Sequence, residues 1–211
     1  TFEGHSLIPV LTALKARYCL EKVVFVADRG LFAAENLQFL EDSGLHYVVG
    51  ARIKNLPTAL TQQILETERY RPLTLADNSN TDTVKAAEFL YKKRRLVVSH
   101  SAARARKDAE DRDTAVQKLR RKLNQSNDVK RFVGHTQKYL TQNGDSTLAL
   151  DAEKIARAAR FDGLTGVITN ATEPIETLLA HYHGLWHIEE TFRISKHDLK
   201  IRPIFHWKAA R

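Results

Sequence analysis

Two short apolar runs with one helix between them constrain this chain most. Val23–Ala27 and His46–Ala51 are rich in valine and aromatic residues, a pattern that predicts strands buried on both faces. Residues 33–43 have helical spacing, with Gly44 well placed to end the helix. Strand, helix and strand within about 30 residues predict a βαβ unit with a right-handed crossover and parallel strands. The sequence therefore predicts an α/β fold.

An aspartate follows the first apolar run directly. Asp28-Arg29-Gly30 ends that run, and ligands of open α/β sheets bind just beyond the carboxyl ends of the strands. We therefore expect Asp28 to lie at a functional edge of the sheet. The alternative is that its carboxylate only caps the turn that follows.

A helix predicted from about Pro174 to Leu199, broken or bent near Gly184, carries the second set of candidate residues. Spacings of four, three, four and three place five side chains on one stripe, namely Tyr182, Trp186, Glu189, Arg193 and Lys196. A core-facing stripe would be apolar, and a solvated stripe would rarely carry Trp and Tyr. A carboxylate with cations one and two turns further on suits a site that holds a metal ion and binds phosphates.

Two histidines on the same segment suggest a different metal. His183 and His187 lie one turn apart, a spacing that can bind zinc on a helix. No third ligand is evident, and their direction differs from that of Glu189. We therefore prefer the carboxylate interpretation.

Residues 92–131 hold all of the excess positive charge. The chain has a net charge of +8, and this segment contains 14 Lys and Arg against 5 Asp and Glu. Such a block attracts polyanions, above all nucleic acid. We expect four arginines of the block to bind it, namely Arg94, Arg95, Arg120 and Arg121. The alternative is a solvated helix face without a ligand.

Composition excludes several classes of protein. No run approaches the roughly 20 apolar residues of a membrane span, and no signal-peptide pattern opens the chain. The single cysteine, Cys19, cannot form an internal disulfide. We therefore expect a cytoplasmic protein that does not enter the membrane.

The middle of the chain differs in character from its two ends. Residues 58–90 are polar, with a turn-rich stretch at 77–80. Further on, the patterns predict a strand at 95–99, a charged helix at 102–123, a hairpin at 139–150, a helix at 152–160 and a strand at 163–169. We predict an α/β core made of residues 1–57 and 146–211, interrupted by a basic α+β insertion at 58–145.

The candidate segments together resemble a known family. Tyr182, Glu189 and Lys196 match three of the four positions in the Tyr-x2-Arg-x3-Glu-x6-Lys signature of bacterial insertion-sequence transposases of the Asp-Asp-Glu class. Residues 26–30 resemble the segment that carries the second catalytic aspartate of that family, and residues 161–170 resemble the strand before the glutamate helix. The resemblance covers residues 1–55 and 146–211. Leu185 departs from it, because the family usually has Arg at this position.

The resemblance implies a ribonuclease-H-like core, a mixed sheet with flanking helices. It implies that Asp28 and Glu189 are two of three carboxylates that hold Mg²⁺ or Mn²⁺, with side chains about 4 to 8 Å apart. The strand that bears the first aspartate is expected upstream of Thr1. Tyr182, Arg193 and Lys196, with Arg29 beside the aspartate, are expected to contact DNA.

The implied activity is metal-dependent cleavage and strand transfer at the ends of an insertion sequence. The implied partners are double-stranded DNA, both terminal inverted repeats and target, and a second copy of the chain in a homodimer. The implied location is the bacterial cytoplasm, at the nucleoid. Two alternatives remain open, a ribonuclease-H-like nuclease that does not join strands and a non-catalytic DNA-binding relative.

Overall fold

The computed structural model describes residues 9–10, 12–14, 17, 24–73, 83–125, 138–142 and 148–197, and in the last helix it leaves out the side chains of Trp186, Glu189 and 192–197. The strands are β1 (Val24–Ala27), β2 (His46–Ala51), β3 (Arg71–Leu73), β4 (Val84–Tyr91), β5 (Arg94–Ser101), β6 (Leu140–Gln142), β7 (Leu148–Leu150) and β8 (Leu164–Thr169). The α-helices are α1 (Ala34–Asp42), α2 (Thr58–Ile64), α3 (Ala102–Gln125), α4 (Ala152–Ala159) and α5 (Ile175–His197).

Six strands form one mixed sheet in the order β1-β2-β8-β5-β4-β3, and β6 pairs with β7 in a separate hairpin. Strands β1 and β2 are parallel, whereas β3, β4 and β5 form antiparallel pairs. Helices flank this sheet, so the mixed α/β architecture expected of a ribonuclease-H-like domain is confirmed.

The βαβ unit β1-α1-β2 is confirmed within two residues of its predicted bounds. Leu37 and Leu40 of α1 are buried, at 3% and 1% exposure. Gly44 has φ +67 just after the helix, a left-handed conformation that favours glycine and ends the helix. Tyr47, Val48 and Val49 of β2 are fully buried, as predicted for a strand that is covered on both faces.

The chain divides into two compact units, one of residues 1–51 with 167–211 and one of residues 52–166. The division falls at other positions than the boundaries expected at 57/58 and 145/146. Residues 148–159 belong to the second unit because β7 pairs with β6, and Ile155 and Ala158 of α4 pack on a core around Leu119 and Tyr139. The assignment of separate functions to the two parts stays a prediction.

The second unit contains a long hairpin, β4–β5, within a stretch whose beginning the sequence analysis described only as polar. The pattern of β4 is irregular, since Ala86, Ala87 and Phe89 are buried while Leu90 is 72% exposed. The turn between β4 and β5 consists of Lys92 and Lys93, whereas an Asn-Gly pair usually marks such a hairpin. The turn-rich stretch at 77–80 lies outside the described residues.

A charged cluster connects α3 to the turn before β8 in the second unit. Arg112 forms an ion pair with Asp162. The side chain of Arg112 is 12% exposed and that of Asp162 is 18% exposed. Asp108 accepts a hydrogen bond from the backbone N–H of Gly163 at 3.0 Å. A β-carbon at Gly163 would lie 2.6 Å from the carbonyl oxygen of Ser101, so only glycine fits this close approach.

Helix α5 begins at Ile175, one residue after the predicted start, and is continuous through Gly184. The prediction of a break there was wrong, because one glycine weakens a helix by only about 1 kcal/mol relative to alanine and the packed first half holds the helix in place, whereas a bend within the continuous helix stays a prediction. Leu178 and Leu179 are fully buried, and α5 packs against β1 and β2. Among the described residues no helix has the length and apolar character of a membrane span.

Candidate active site at the ends of strands β1 and β2

Asp28 lies one residue beyond the carboxyl end of β1 and is exposed. Its Oδ1 accepts a hydrogen bond of 2.7 Å from the backbone N–H of Gly30, at the start of a short 3-10 turn, Arg29–Leu31. Both interpretations of Asp28 therefore have support, since the residue caps the turn and also stands at the sheet edge where ligands bind. A carboxylate has about four lone-pair sites, and one hydrogen bond leaves capacity for a cation.

Gly50 is the neighbour of Asp28 on β2. The register pairs Ala27 with Val49, so the next positions in line are Asp28 and Gly50. A β-carbon at Gly50 would lie well inside van der Waals contact with the hydroxyl oxygen of Tyr182, 2.8 Å from Cγ of Arg29 and 3.0 Å from the Arg29 backbone nitrogen. The phenol of Tyr182 therefore ends beside the sheet edge that carries Asp28.

Helix α5 runs along β2 towards that edge. Before the helix, Asn170 Oδ1 accepts a hydrogen bond of 2.9 Å from the N–H of Tyr47, and Asn170 Nδ2 donates to the carbonyl oxygen of Leu45 at 3.0 Å. These bonds hold the chain at the start of β2, five residues before α5 begins. Tyr182 then reaches Gly50, near the end of β2, so the helix passes from one end of the strand to the other.

Glu189 follows Tyr182 by seven residues on α5. Seven residues are two helical turns, so the two positions share a face and lie about 10 Å apart along the axis. The helix thus carries position 189 beyond the carboxyl ends of the strands. The side chains of Glu189, Arg193 and Lys196 are outside the described part, and the separation expected for Asp28 and Glu189 stays a prediction.

Within the part of the chain that the structure describes, no third ligand joins the two histidines of the alternative zinc site. His183 and His187 are both exposed on α5. Among the described residues, which do not include the side chain of Glu189, no three His, Cys, Asp or Glu side chains are grouped so as to hold a metal ion.

The four arginines expected to bind nucleic acid differ in their surroundings. Arg95 is half-buried and pairs with Glu88 at 2.9 Å, and Arg94 is also half-buried. Arg120 and Arg121 are exposed on the last part of α3, where residues 114–125 contain no acid. The second pair therefore has the more accessible charge, in a stretch without competing carboxylates.

Sequence reasoning did not identify Gly50. The signal was present, because a glycine inside an otherwise buried, valine-rich strand marks a close backbone approach. What approaches, however, is a tyrosine more than 130 positions later. Nothing local in the sequence connects the two.

Comparison with known proteins identifies the family of the chain. A family model described as "Transposase DDE domain" matches residues 3–206, insertion included. No curated protein and no solved structure matches the chain. Since the matched region is nearly the whole chain, the protein belongs to the DDE-domain transposases, the Asp-Asp-Glu class found in insertion sequences.

Proposed function

We propose that this chain carries the catalytic site of a metal-dependent reaction that cuts DNA at the ends of an insertion sequence and joins it to a target. The observation that carries the proposal is that the Tyr182 hydroxyl and Arg29 both lie beside Gly50, the residue after Val49, which pairs with Ala27 just before Asp28. Tyr182 is part of the family signature, and the helix that brings it there continues directly to Glu189. This approach of two segments that are distant in sequence supports a common site at the ends of β1 and β2.

The donor chemistry of these residues suits Mg²⁺ or Mn²⁺. Both are hard cations that prefer carboxylate oxygens, and Asp28 presents an exposed carboxylate of which the Gly30 N–H occupies one position. Asp28 and Glu189 would hold the ions. The chemistry that such ions supply in phosphoryl transfer is an activated oxygen nucleophile and a stabilised leaving oxygen.

The remaining residues of the site would bind and orient the DNA end. Arg29 follows Asp28 directly and is exposed, so its guanidinium can contact a phosphate next to the reacting one. The Tyr182 hydroxyl would donate a hydrogen bond to the backbone of the DNA. Arg193 and Lys196 follow Glu189 by one and two helical turns, and would bind phosphates further along the strand.

The second unit would supply a separate DNA surface. The exposed Arg120 and Arg121 would bind phosphates through charge alone, with Arg94 and Arg95 as weaker contributors. We place the active protein at the nucleoid in the bacterial cytoplasm, as a homodimer that binds two element ends. Terminal inverted repeats and target DNA would be its partners.

The decisive experiment replaces Glu189 with glutamine in the full-length protein. Gln keeps the size and one carbonyl oxygen but loses the charge that holds the metal, so cleavage and joining should fall by at least about 1000-fold while DNA affinity stays within about twofold. Glu190→Gln is the matched control, because it removes the same charge from the next residue and should leave activity near wild type.

The same assay separates the alternatives. If the wild-type protein cuts DNA in the presence of Mg²⁺ or Mn²⁺ but never joins strands, it is a nuclease. Protein that binds DNA without cutting would be a non-catalytic relative. Near wild-type cutting and joining by the Glu189→Gln variant would show that Glu189 is not the catalytic glutamate.

A further inference from the structure

The turn of the β4–β5 hairpin is made of two lysines in an unfavourable backbone conformation. Lys92 and Lys93 have φ +50 and φ +63, and they link Tyr91 to Arg94, the last pair of the hairpin. Two central residues with positive φ are typical of a type I′ turn, in which Asn-Gly is strongly preferred. A residue with a long side chain is strained at either position. Both positions nevertheless carry lysine.

The same two lysines are the exposed cations at the turn end of the hairpin, whereas the exposed Lys85 lies near the other end of β4. Lys92 and Lys93 are exposed, whereas Arg94 and Arg95 are half-buried and Arg95 pairs with Glu88. The Nζ of Lys92 lies 5.5 Å from the ring centroid of Tyr91, within the range of a cation–π contact that holds the ammonium at the turn.

An exposed apolar residue precedes the first of these cations by two positions in the chain. Leu90 is 72% exposed, more than any other large hydrophobic residue in the described part of the chain. We call residues 90–94 the hairpin tip. A tip with two ammonium groups and an uncovered leucine matches a sugar-phosphate surface, which offers anionic oxygens beside apolar sugar edges.

Residues that strain the backbone at a turn are retained where they serve a function other than stability. We propose that the hairpin tip binds the backbone of duplex DNA, with Lys92 and Lys93 each contacting a phosphate and Leu90 packing against the sugars. The inference rests on DNA being the substrate, as proposed above. It assigns the hairpin's main contacts to the two lysines instead of the neighbouring arginines.

The test uses a substitution that should improve the fold and impair binding together. Lys92→Asn/Lys93→Gly installs the preferred I′ pair, so Tm should rise by about 3 °C or more. The dependence of log affinity on log salt should flatten by about 1.8, and affinity for a random-sequence duplex should fall about 60-fold near 0.1 M salt, because two phosphate contacts are lost. Fluorescence anisotropy of a labelled duplex measures both.

The matched control is Arg106→Gln/Lys107→Gln. It also removes two exposed positive charges, but from the part of α3 that contains Asp108, Glu110 and Asp111. We expect its salt dependence to stay near that of wild type. An equal flattening in both variants would mean that only net charge matters, and would overturn the proposal.

The remaining outcomes are also decisive. A turn variant with a higher Tm and an unchanged salt slope would make the tip a structural turn without a ligand. A lower Tm would refute the argument from strain. Wild-type protein that does not bind duplex DNA at all would contradict the proposed function itself, which separates that failure from a failure of the tip alone.

Discussion

Gly50→Ala tests whether the Tyr182 phenol ends at the sheet edge. The added β-carbon would overlap the Tyr182 hydroxyl oxygen and would lie 2.8 Å from Cγ and 3.0 Å from the backbone nitrogen of Arg29. Ordinary contacts between a β-carbon and a neighbouring atom are about 3.4 Å or longer. These three atoms of Tyr182 and Arg29 must therefore move. Overpacking a fixed site in this way costs about 2 kcal/mol of unfolding free energy.

Removing the phenol oxygen should relieve part of that cost. We expect Tyr182→Phe alone to cost about 0.5 kcal/mol, as for a modest hydrogen bond. The double variant should cost about 1.5 kcal/mol, which is about 1 kcal/mol less than the two single effects together. The relief is incomplete because the backbone nitrogen of Arg29 cannot rotate away as a side chain can.

Urea unfolding of the four proteins measures this coupling. Gly184→Ala is the control, because a β-carbon there has no neighbour within 4 Å and an alanine inside a helix should stabilise the protein by about 1 kcal/mol. Additivity of the Gly50 and Tyr182 effects within about 0.4 kcal/mol would refute the contact. In the proposed reaction, Gly50→Ala should also slow DNA cleavage, since it displaces Tyr182 and Arg29 beside Asp28.

Two further changes probe the second unit. Tyr70→Phe should lower the unfolding free energy by about 1 to 3 kcal/mol in a denaturant titration, because the buried Tyr70 hydroxyl donates to the carbonyl oxygen of Ile64 at 2.7 Å; an unchanged midpoint would contradict this. Asp151 caps α4, and the hydrogen bond from the backbone N–H of Lys154 lowers the Asp151 pKa from its ordinary 3.8. The charge therefore stabilises the fold above that value, and the contribution is lost as the pH falls through the lowered pKa. Asp151→Asn, a comparable cap, should have a lower Tm than wild type at pH 7 and an equal Tm in strong acid; a gap that is constant with pH would refute the argument.

The predictions that held depend on local patterns. The apolar runs marked both strands, although β2 is buried while Val24, Phe25 and Val26 of the edge strand β1 are only half-buried. The spacing of Leu37 and Leu40 defined the helix between them. Gly44 marked the end of that helix, because a left-handed residue was needed there. Each of these signals lies within about a dozen residues, so the sequence could reveal it without knowledge of the rest of the fold.

The errors arose where distant packing outweighs a local preference. Gly184 suggested a break, but Leu178 and Leu179 in the first half of α5 are fully buried, the helix packs against β1 and β2, and it continues through Gly184. The hairpin turn escaped notice because Lys92 and Lys93 have no turn propensity of their own. Strand pairing over eight residues on each side imposes the conformation.

For the site, the sequence by itself determined which residues we propose to carry the chemistry. Asp28 after a buried strand and Glu189 on a signature helix could be named from residue type, spacing and family resemblance. Only the tertiary structure decided that Tyr182 ends beside Gly50, one position beyond the last pair of the β1–β2 register, Ala27 with Val49. That contact joins residues more than 130 positions apart, and it exists because the hydrogen bonds of Asn170 anchor the chain at the start of β2 and α5 then runs the length of that strand. Such an approach depends on how two elements pack together, which neither element encodes in its own sequence.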